Sequence, residues 1–230
     1  SLNITDVDLE VTQNLKLWLD ATNINFDDND GLEDGDSIHR WVDLSGSGFT
    51  LMGLNSPILD SDGFNGEYPA VSFDGDDSYF RTYNKGEVML PEDNFTIFIV
   101  GQFDGSSEAS LFAINDMDNT NGPSSSGIIL KINDNGYPES NVPTDANSFA
   151  SSIIKQDVQT VSPMIIEYSR AATDNVTSVA IKVNNETVTY NSQDIVEGLI
   201  RDVGDPIRPD VTIGNWGTGG NDPLNGAIAE

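Results

Sequence analysis

Short apolar runs recur every ~10 to 20 positions along the chain, separated by Gly, Asn, Asp and Pro, and such runs predict β-strands. The strongest run is Phe95–Phe103. It is apolar on both faces and therefore predicts a central strand that is covered on two sides. The remaining predicted strands are Leu15–Leu19, Ile38–Leu44, Ala70–Phe73, Tyr79–Tyr83, Ser110–Ile114, Gly127–Ile132, Pro163–Tyr168, Val176–Val183, Glu186–Tyr190, Val211–Asn215 and Leu224–Ala229.

Helical periodicity is weak throughout. Ser148–Lys155 and Gln193–Arg201 are each long enough for only a turn or two of helix. Asp116–Ser126 and Asn133–Asn147 are rich in polar and turn-forming residues and predict long loops. Because about a dozen strands with almost no helix must bury their apolar faces against each other, the pattern predicts an all-β antiparallel sandwich or barrel.

Several short polar motifs predict tight turns. Asn184-Asn185, between two strand patterns, predicts a hairpin turn. Asp43 and Ser45 precede Gly46 and Gly48, and their side chains are placed to hydrogen-bond the turn backbone while glycine supplies a positive φ. The same reasoning applies to Asp74, which also precedes a glycine.

Length and composition fit one domain over residues 1–230, with enough chain to bury a core without covalent staples. The absence of cysteine excludes disulfides, thiolate zinc sites and cysteine nucleophiles. No apolar run is long enough for a transmembrane helix, and the first residues show no signal-peptide pattern. The chain stops at Ala227–Glu230, inside a predicted strand. We therefore expect this chain to be a piece of a longer protein with flanking domains, and its last strand to be truncated.

The net charge of −28 excludes nucleic acid as a partner and disfavours an anionic membrane surface. Aspartate accounts for 27 of the 38 acidic residues. Short carboxylates in loops suit Ca²⁺, which takes six to eight oxygen ligands. Acidity that serves only solubility is the alternative interpretation.

Three acidic stretches are candidate calcium loops. The first spans residues 27–36, which place six carboxylates in ten positions, although no Glu follows Gly31 at the EF-hand spacing. A divalent cation would remove their mutual repulsion; a solvated acidic loop is the alternative. The candidate ligands in the three stretches are Asp27, Asp28, Asp30, Asp34 and Asp36, then Asp74, Asp76 and Asp77, then Asp116 and Asp118.

A sugar site needs a flat aromatic ring and a few fixed polar groups. Asn215, Trp216, Asn221 and Asp222 combine these in a Gly-rich loop that offers little strand to bury the indole. Tyr137 is a second loop aromatic. The alternative is a Trp216 side chain folded back over the end of the sandwich.

Enzyme interpretations have little support in the sequence. His39 is the only histidine, so a Ser-His-Asp triad or a zinc site would depend on it. Glu167 is a lone acid in an apolar strand pattern and needs no catalytic explanation. We therefore expect no catalytic residues and no glycosidase or lyase activity.

Four segments resemble the laminin G-like domains of the concanavalin A-like lectin/glucanase superfamily found in bacterial surface proteins. They are Leu17–Ala21, Trp41–Gly48, Pro69–Phe80 leading into Asn94–Phe103, and Ile213–Asn215 followed by Leu224–Glu230. The family continues beyond a Gly-x-Ile-x-Glu strand like Gly226–Glu230, hence the expected truncation. The Glu-x-Asp-x-x-Glu signature of its glycosidases is absent.

This resemblance implies a jelly-roll sandwich on the surface of a cell or secreted from it. It implies a calcium-stabilised carbohydrate-binding or adhesion module whose partner is a glycan, a polysaccharide or a protein on another cell. Two further interpretations stay open: a structural spacer of a large adhesin, and a protein- or peptide-binding module that uses an edge strand. In the resembling segments we expect Trp18 and Trp41 to fill the core or cap a sheet edge, with sugar stacking as the alternative.

Overall fold

The computed structural model describes residues 13–24, 29, 31–64, 66–82, 94–104, 107–115, 128–145, 148–154, 163–170, 176–177, 179–187, 190–193, 196–197, 210–216 and 222–230. Eighteen strands lie in these ranges. In chain order, β1 to β9 are Arg40–Trp41, Leu51–Leu54, Ile58–Phe64, Tyr68–Asp74, Tyr79–Thr82, Phe95–Phe103, Ala109–Asn115, Ile128–Ile132 and Pro138–Asp145. Strands β10 to β18 are Ser148–Ile154, Met164–Arg170, Val176–Thr177, Ala180–Val183, Glu186–Thr187, Tyr190–Gln193, Val196–Glu197, Asp210–Ile213 and Asn225–Ile228.

Two large antiparallel sheets contain most of these strands. The nine-stranded sheet has the order β1-β2-β5-β17-β7-β8-β9-β10-β15, and the seven-stranded sheet has the order β14-β13-β11-β6-β18-β4-β3. Strands β12 and β16 form a separate short ladder. The predicted all-β antiparallel architecture is confirmed. The helical element that the structure describes is one 3₁₀ turn, Ala21–Asn23, and nothing among the described residues is a helix long and apolar enough to cross a membrane.

One apolar core holds the sheets together. Trp41 is 1% exposed, and its ring lies 5.4 Å from that of Phe80, which also meets Phe73 edge-on at 6.1 Å. Tyr168, fully buried, belongs to the seven-stranded sheet, and its hydroxyl donates to the Lys131 carbonyl of the other sheet at 3.4 Å. Buried aromatic pairs of this kind fix the packing beyond the area they bury.

Phe95–Phe103 is a central strand, as predicted, since β11 and β18 pair with it on either side. It is not covered on both faces. Ile99 is 5% exposed on the inner face, whereas Phe98 on the outer face is 59% exposed. The apolar pattern correctly placed this strand between two neighbouring strands. A strand in that position can still have one face open to solvent.

Several predicted boundaries are wrong. Leu15–Leu19 alternates but forms no strand; its backbone instead meets the Asp43 turn, with Trp18 N donating to Asp43 Oδ1 at 3.1 Å. Pro138–Asp145 is a strand inside the predicted loop, and Ser148–Ile154 is a strand where helical turns were expected. These two strands pair with each other as a hairpin, so cross-strand hydrogen bonds override the turn and helix preferences of the individual residues.

The predicted turns are confirmed. Val183 pairs with Glu186 across the hairpin, and Asn184 and Asn185 both have positive φ, at 52° and 63°. Asp43 is 8% exposed, and its carboxylate accepts from the backbone of Trp18, Ser45 and Phe49 and from the Ser45 hydroxyl. Trp41 fills the core as expected, whereas Trp18 is half-buried and its indole NH donates to Glu230 at 3.0 Å.

Candidate functional site

The candidate site lies on the outer face of the nine-stranded sheet. Leu130 and Ile132 point into the core, so Lys131 between them points outward. Ser110 and Glu139 are its cross-strand partners on β7 and β9, and the alternation of side chains places them on the same face. Three neighbouring strands thus carry a polar row that is largely buried, with Ser110 at 0% and Glu139 at 9% exposure.

Lys131 is the centre of an ionic network in this row. Its ammonium pairs with Glu108 Oε1 and lies 3.7 Å from Glu139 Oε1. Glu139 is 9% exposed, and its two oxygens accept amide hydrogen bonds from Asn133 at 3.2 Å and Asn141 at 3.0 Å. These hydrogen bonds satisfy a carboxylate that would otherwise be costly to bury.

Trp216 borders this network. It follows β17, its side chain is half-buried, and its indole Nε1 donates to Asp222 Oδ2 at 2.8 Å. The Asp222 carbonyl accepts from Ser110 N at 2.7 Å, which ties the Trp216 loop to the row that contains Lys131. The hydrogen bond thus fixes the polar edge of a half-buried indole.

Burial and neighbouring charges shift the pKa values of several groups in the site. Burial, together with the negative charges of Glu108 and Glu139, raises the pKa of Asp222, against the Trp216 hydrogen bond and the Lys131 charge. Burial opposes the charged form of Lys131, but Glu108, Glu139 and Asp222 together raise its pKa. Burial also raises the pKa of Tyr168, whose hydroxyl lies beneath the row. Three carboxylates around one ammonium leave the site acidic.

Tyr137 lies in the hairpin turn next to this network. Asn133 Oδ1 accepts from the backbone of Asn135 and Tyr137 at 3.0 and 3.1 Å, while Asn133 Nδ2 donates to Glu139. Tyr137 is half-buried. The structure therefore brings Trp216, Asp222 and the Tyr137 turn to one end of the same sheet, although more than seventy positions separate them in sequence.

The other predicted ligand residues have different placements. Asn215 is 1% exposed, so its side chain lies within the protein directly before Trp216. Asn221 lies outside the described residues.

Sequence reasoning missed Lys131, Glu139 and a further pair on this face. Arg81 Nε donates to Asp210 Oδ2 at 2.8 Å, and Asp210 is 3% exposed. Lys131 is a single outward polar residue in an otherwise apolar strand, whereas Glu139 lies in the polar segment Pro138–Asp145. Only the strand register brings them together, and a sequence pattern does not contain that register.

The acidic stretches are described in part. Asp27, Asp28, Asp30, Asp116 and Asp118 lie outside the described residues. Asp34 accepts from Ser61 N and Oγ, both at 2.9 Å, and these hydrogen bonds lower its pKa. Asp36 accepts from Glu33 N at 2.8 Å. Within the described ranges no three His, Asp or Glu side chains are grouped to hold a metal ion.

The Asp74 stretch is a turn held by its first carboxylate. Asp74 Oδ1 accepts from the backbone of Asp76, Asp77 and Ser78 and from the Ser78 hydroxyl, at 2.8 to 3.3 Å. Partial burial works against the charge, but these hydrogen bonds outweigh it and lower the pKa of Asp74. Asp76 and Asp77 are exposed.

No family model matches the chain, and no curated protein matches it in sequence. Solved structures do resemble it. The binding domain of botulinum neurotoxin serotype D/C VPI 5993 has a TM-score of 0.52 at 10% identity, over 93% of this chain and 47% of that one. The CBM40 domain of the Ruminococcus gnavus IT-sialidase, bound to α2,3 sialyllactose, has a TM-score of 0.48 at 13% identity, over 62% and 75%. The LG1-3 region of the laminin α2 chain has a TM-score of 0.48 at 14% identity, over 69% and 30%.

The chain has the concanavalin A-like, laminin G-like β-sandwich fold. The fold predicted from the sequence is thus confirmed. A shared sandwich at this level of identity says nothing about the ligand, since unrelated functions use the same architecture.

Proposed function

We propose that this protein is a carbohydrate-binding module whose ligand stacks on Trp216. The observation that carries the proposal is the half-buried indole, held by Asp222 at 2.8 Å beside the polar row of Lys131 and Glu139. Because its NH is hydrogen-bonded, the indole is already held in one orientation, so it loses little side-chain entropy when a ligand binds. Sugar rings have apolar faces that suit such a surface, and fixed amides and carboxylates suit their hydroxyls.

The charges of the site select the class of sugar. Glu108, Glu139 and Asp222 surround the single ammonium of Lys131, and the whole chain carries a net charge of −28. An acidic sugar would meet repulsion both on approach and at the site. The ligand in this proposal is therefore a neutral glycan, bound through hydroxyl groups.

The proposal is for binding without hydrolysis. Asp222 has a raised pKa, as a general acid would, but its Oδ2 accepts the Trp216 indole NH. Glu139 accepts two amide hydrogen bonds beside Lys131, which favours a fixed carboxylate over an activated one. Absence of new reducing ends after prolonged incubation with each bound glycan is the corresponding check.

Calcium and location complete the proposal and are supported by the sequence alone. Six carboxylates between Asp27 and Asp36 support a calcium ion that orders this loop, and the acidity suits a secreted or cell-surface module of a larger protein. Calorimetric titration of the metal-free protein with CaCl₂ tests the first point. Heat of binding that disappears in an Asp28→Asn/Asp30→Asn variant supports the loop, and no heat in the wild type rejects calcium while leaving the sugar site untouched.

The peptide-binding alternative is less well supported by the edges of the seven-stranded sheet. Gly35 N donates to Leu59 O and Leu59 N donates to Asp36 O, so the segment before β1 covers part of edge strand β3. The opposite edge strand of that sheet, Glu186–Thr187, is two residues long. Short or covered edges give an added strand little to pair with.

Affinity gel electrophoresis with soluble neutral polysaccharides tests the sugar proposal. The gels contain, one at a time, hydroxyethyl cellulose, glucomannan, arabinoxylan and a β-1,3-glucan. We expect at least one to retard the wild type, Trp216→Ala to reduce the retardation about tenfold or more, and Trp18→Ala, the same change at the other half-buried indole, to leave it unchanged. Equal retardation of Trp216→Ala and wild type in every gel would overturn the proposal.

A further inference from the structure

The outer face of the seven-stranded sheet carries exposed apolar side chains at its centre. Phe98 on β6 is 59% exposed and Ile165 on β11 is 46% exposed, while their inward neighbours Ile99 and Ile166 are 5% and 0% exposed. Val100 pairs with Ile165 and joins the two side chains into one patch. This face lies on the opposite side of the sandwich from Trp216 and Lys131.

The same face contains a shallow groove of about 300 Å³ two strands away from Ile165. Its polar lining consists of side chains from β3, β4, β6 and β18 and the residue after β6: Asp60, Ser72, Gln102, Asp104 and Asn225.

The floor of the groove is a small residue. Ala227 pairs with Ser72 on one side and Gln102 on the other, so a methyl group separates the two polar side chains. Asn225 Nδ2 donates to Asp104 Oδ2 at 3.1 Å, and this contact orients both planar groups along the wall. Ser72 Oγ lies 3.5 Å from Asp60 Oδ2, a weak contact that a ligand hydroxyl can replace.

One strand connects the groove to the apolar patch. Phe98, Val100 and Gln102 are successive outward positions of β6, so roughly 13 Å separates Phe98 from Gln102 along the strand. A ligand that places a ring on Phe98 and a polar unit in the groove would therefore be an extended one that runs along β6.

We propose that this face is a second glycan-binding surface, which takes an extended neutral oligosaccharide with one ring on Phe98 and hydroxyl groups in the Gln102 groove. An exposed aromatic beside convergent amides and carboxylates is the chemistry that recognises a sugar. The two carboxylates of the groove, Asp60 and Asp104, disfavour an acidic sugar, and a nonpolar partner would bury the carboxylates and amides of the groove against apolar surface. The surface shares no residue with the Trp216 site, so either site can fail without the other.

Two variants in the whole chain test this surface, with Trp216→Ala as the background. We expect Phe98→Ala and Gln102→Ala each to lower the residual retardation of Trp216→Ala in the neutral polysaccharide gels by about five- to tenfold. Thr96→Ala, an exposed change on the same face of the same strand, should leave it unchanged. Ala227→Met fills the groove without removing a polar group and should have the same effect as Gln102→Ala.

Each other outcome contradicts the proposal. Trp216→Ala with no residual retardation in any gel, or Phe98→Ala and Gln102→Ala that bind like their background, removes the second surface. A Phe98→Ala variant that changes the sedimentation coefficient but not the retardation assigns the patch to self-association instead. Thermal melts within a few degrees of the background show that the variants are folded.

Discussion

The indole NH of Trp216 donates at 2.8 Å to the carboxylate of Asp222, six positions further along the chain. This hydrogen bond closes the loop between β17 and β18 and places the indole beside the outward row of the nine-stranded sheet. The same carboxylate lies in the field of Glu108, Glu139 and Lys131. The position of the ring and the charge of the site are therefore coupled through one residue.

Substitution of Asp222 separates these two roles. Asp222→Asn keeps an acceptor for the indole NH and removes a negative charge next to Glu108 and Glu139, so we expect the free energy of unfolding at pH 7 to rise by up to ~1 kcal/mol. Asp222→Ala leaves the half-buried NH without its acceptor and should lower it by about 1 kcal/mol. Urea unfolding measures both; an alanine variant more stable than the asparagine variant would contradict the assigned contact.

The stability of the protein should depend on pH through Asp222. Its pKa is raised above the usual 3.8, so as the pH rises the unfolded chain releases this proton first and the folded protein releases it later. Asp222 therefore lowers the free energy of unfolding across the window from 3.8 up to its raised pKa. We expect the stability advantage of Asp222→Asn over wild type to be small near pH 3.5 and to grow toward pH 7, as measured by urea unfolding at each pH. An advantage that is the same at every pH would show that Asp222 is not perturbed.

Two cross-strand lysines allow a matched comparison of charge networks. Lys131, with a side chain 14% exposed, faces Glu108 and Glu139, whereas Lys182, at 34%, pairs with Glu167 on the solvent-facing side of the other sheet. Lys131→Met leaves clustered carboxylates without a counter-charge and should cost about 2 kcal/mol of unfolding free energy. Lys182→Met should cost under ~1 kcal/mol. Chemical denaturation of both variants decides, and equal losses would mean that the Lys131 network is no more buried than a surface pair.

The turn around Asp43 should contribute strongly to the free energy of unfolding. Its buried carboxylate accepts four hydrogen bonds, which connect the segment before the 3₁₀ turn to the chain after β1. Asp43→Ala leaves these donors unsatisfied and should lower the free energy of unfolding by about 2 to 4 kcal/mol. Asp76→Ala, at an exposed aspartate, should change it by less than ~0.5 kcal/mol. Similar melting temperatures for the two variants would contradict this role.

The sequence predicts local features of this fold better than its pairing. Strand β6 and the Asn184-Asn185 turn were located because their signals lie within nine residues of chain. Pro138–Asp145 was interpreted as loop because it contains two prolines and several polar residues, yet β8 and β10 pair with it on both sides. Pairing with the two strands next to it in the chain decided its structure, and the polar composition of the segment does not record that pairing.

The candidate site shows the same division. Trp216, Asp222 and Tyr137 were singled out because aromatic side chains in polar loops are uncommon. Lys131 and Glu139 were not, since one is a lone polar residue in an apolar strand, the other lies in a segment interpreted as loop, and only their cross-strand pairing connects them. The exposure of Phe98 was not predicted for a different reason. An apolar residue looks the same in sequence whether the second face of its sheet is covered or open.

The most direct test of the sugar proposal is to follow the three tryptophan indole NH signals of ¹⁵N-labelled protein by NMR, assigned with Trp→Phe variants, while the retarding glycan is added as an oligosaccharide. We expect the Trp216 signal to shift in proportion to binding, and the signals of the buried Trp41 and of Trp18, paired with Glu230, to stay in place. A bound glycan that leaves the Trp216 signal unmoved would contradict the proposal that this indole is the sugar platform.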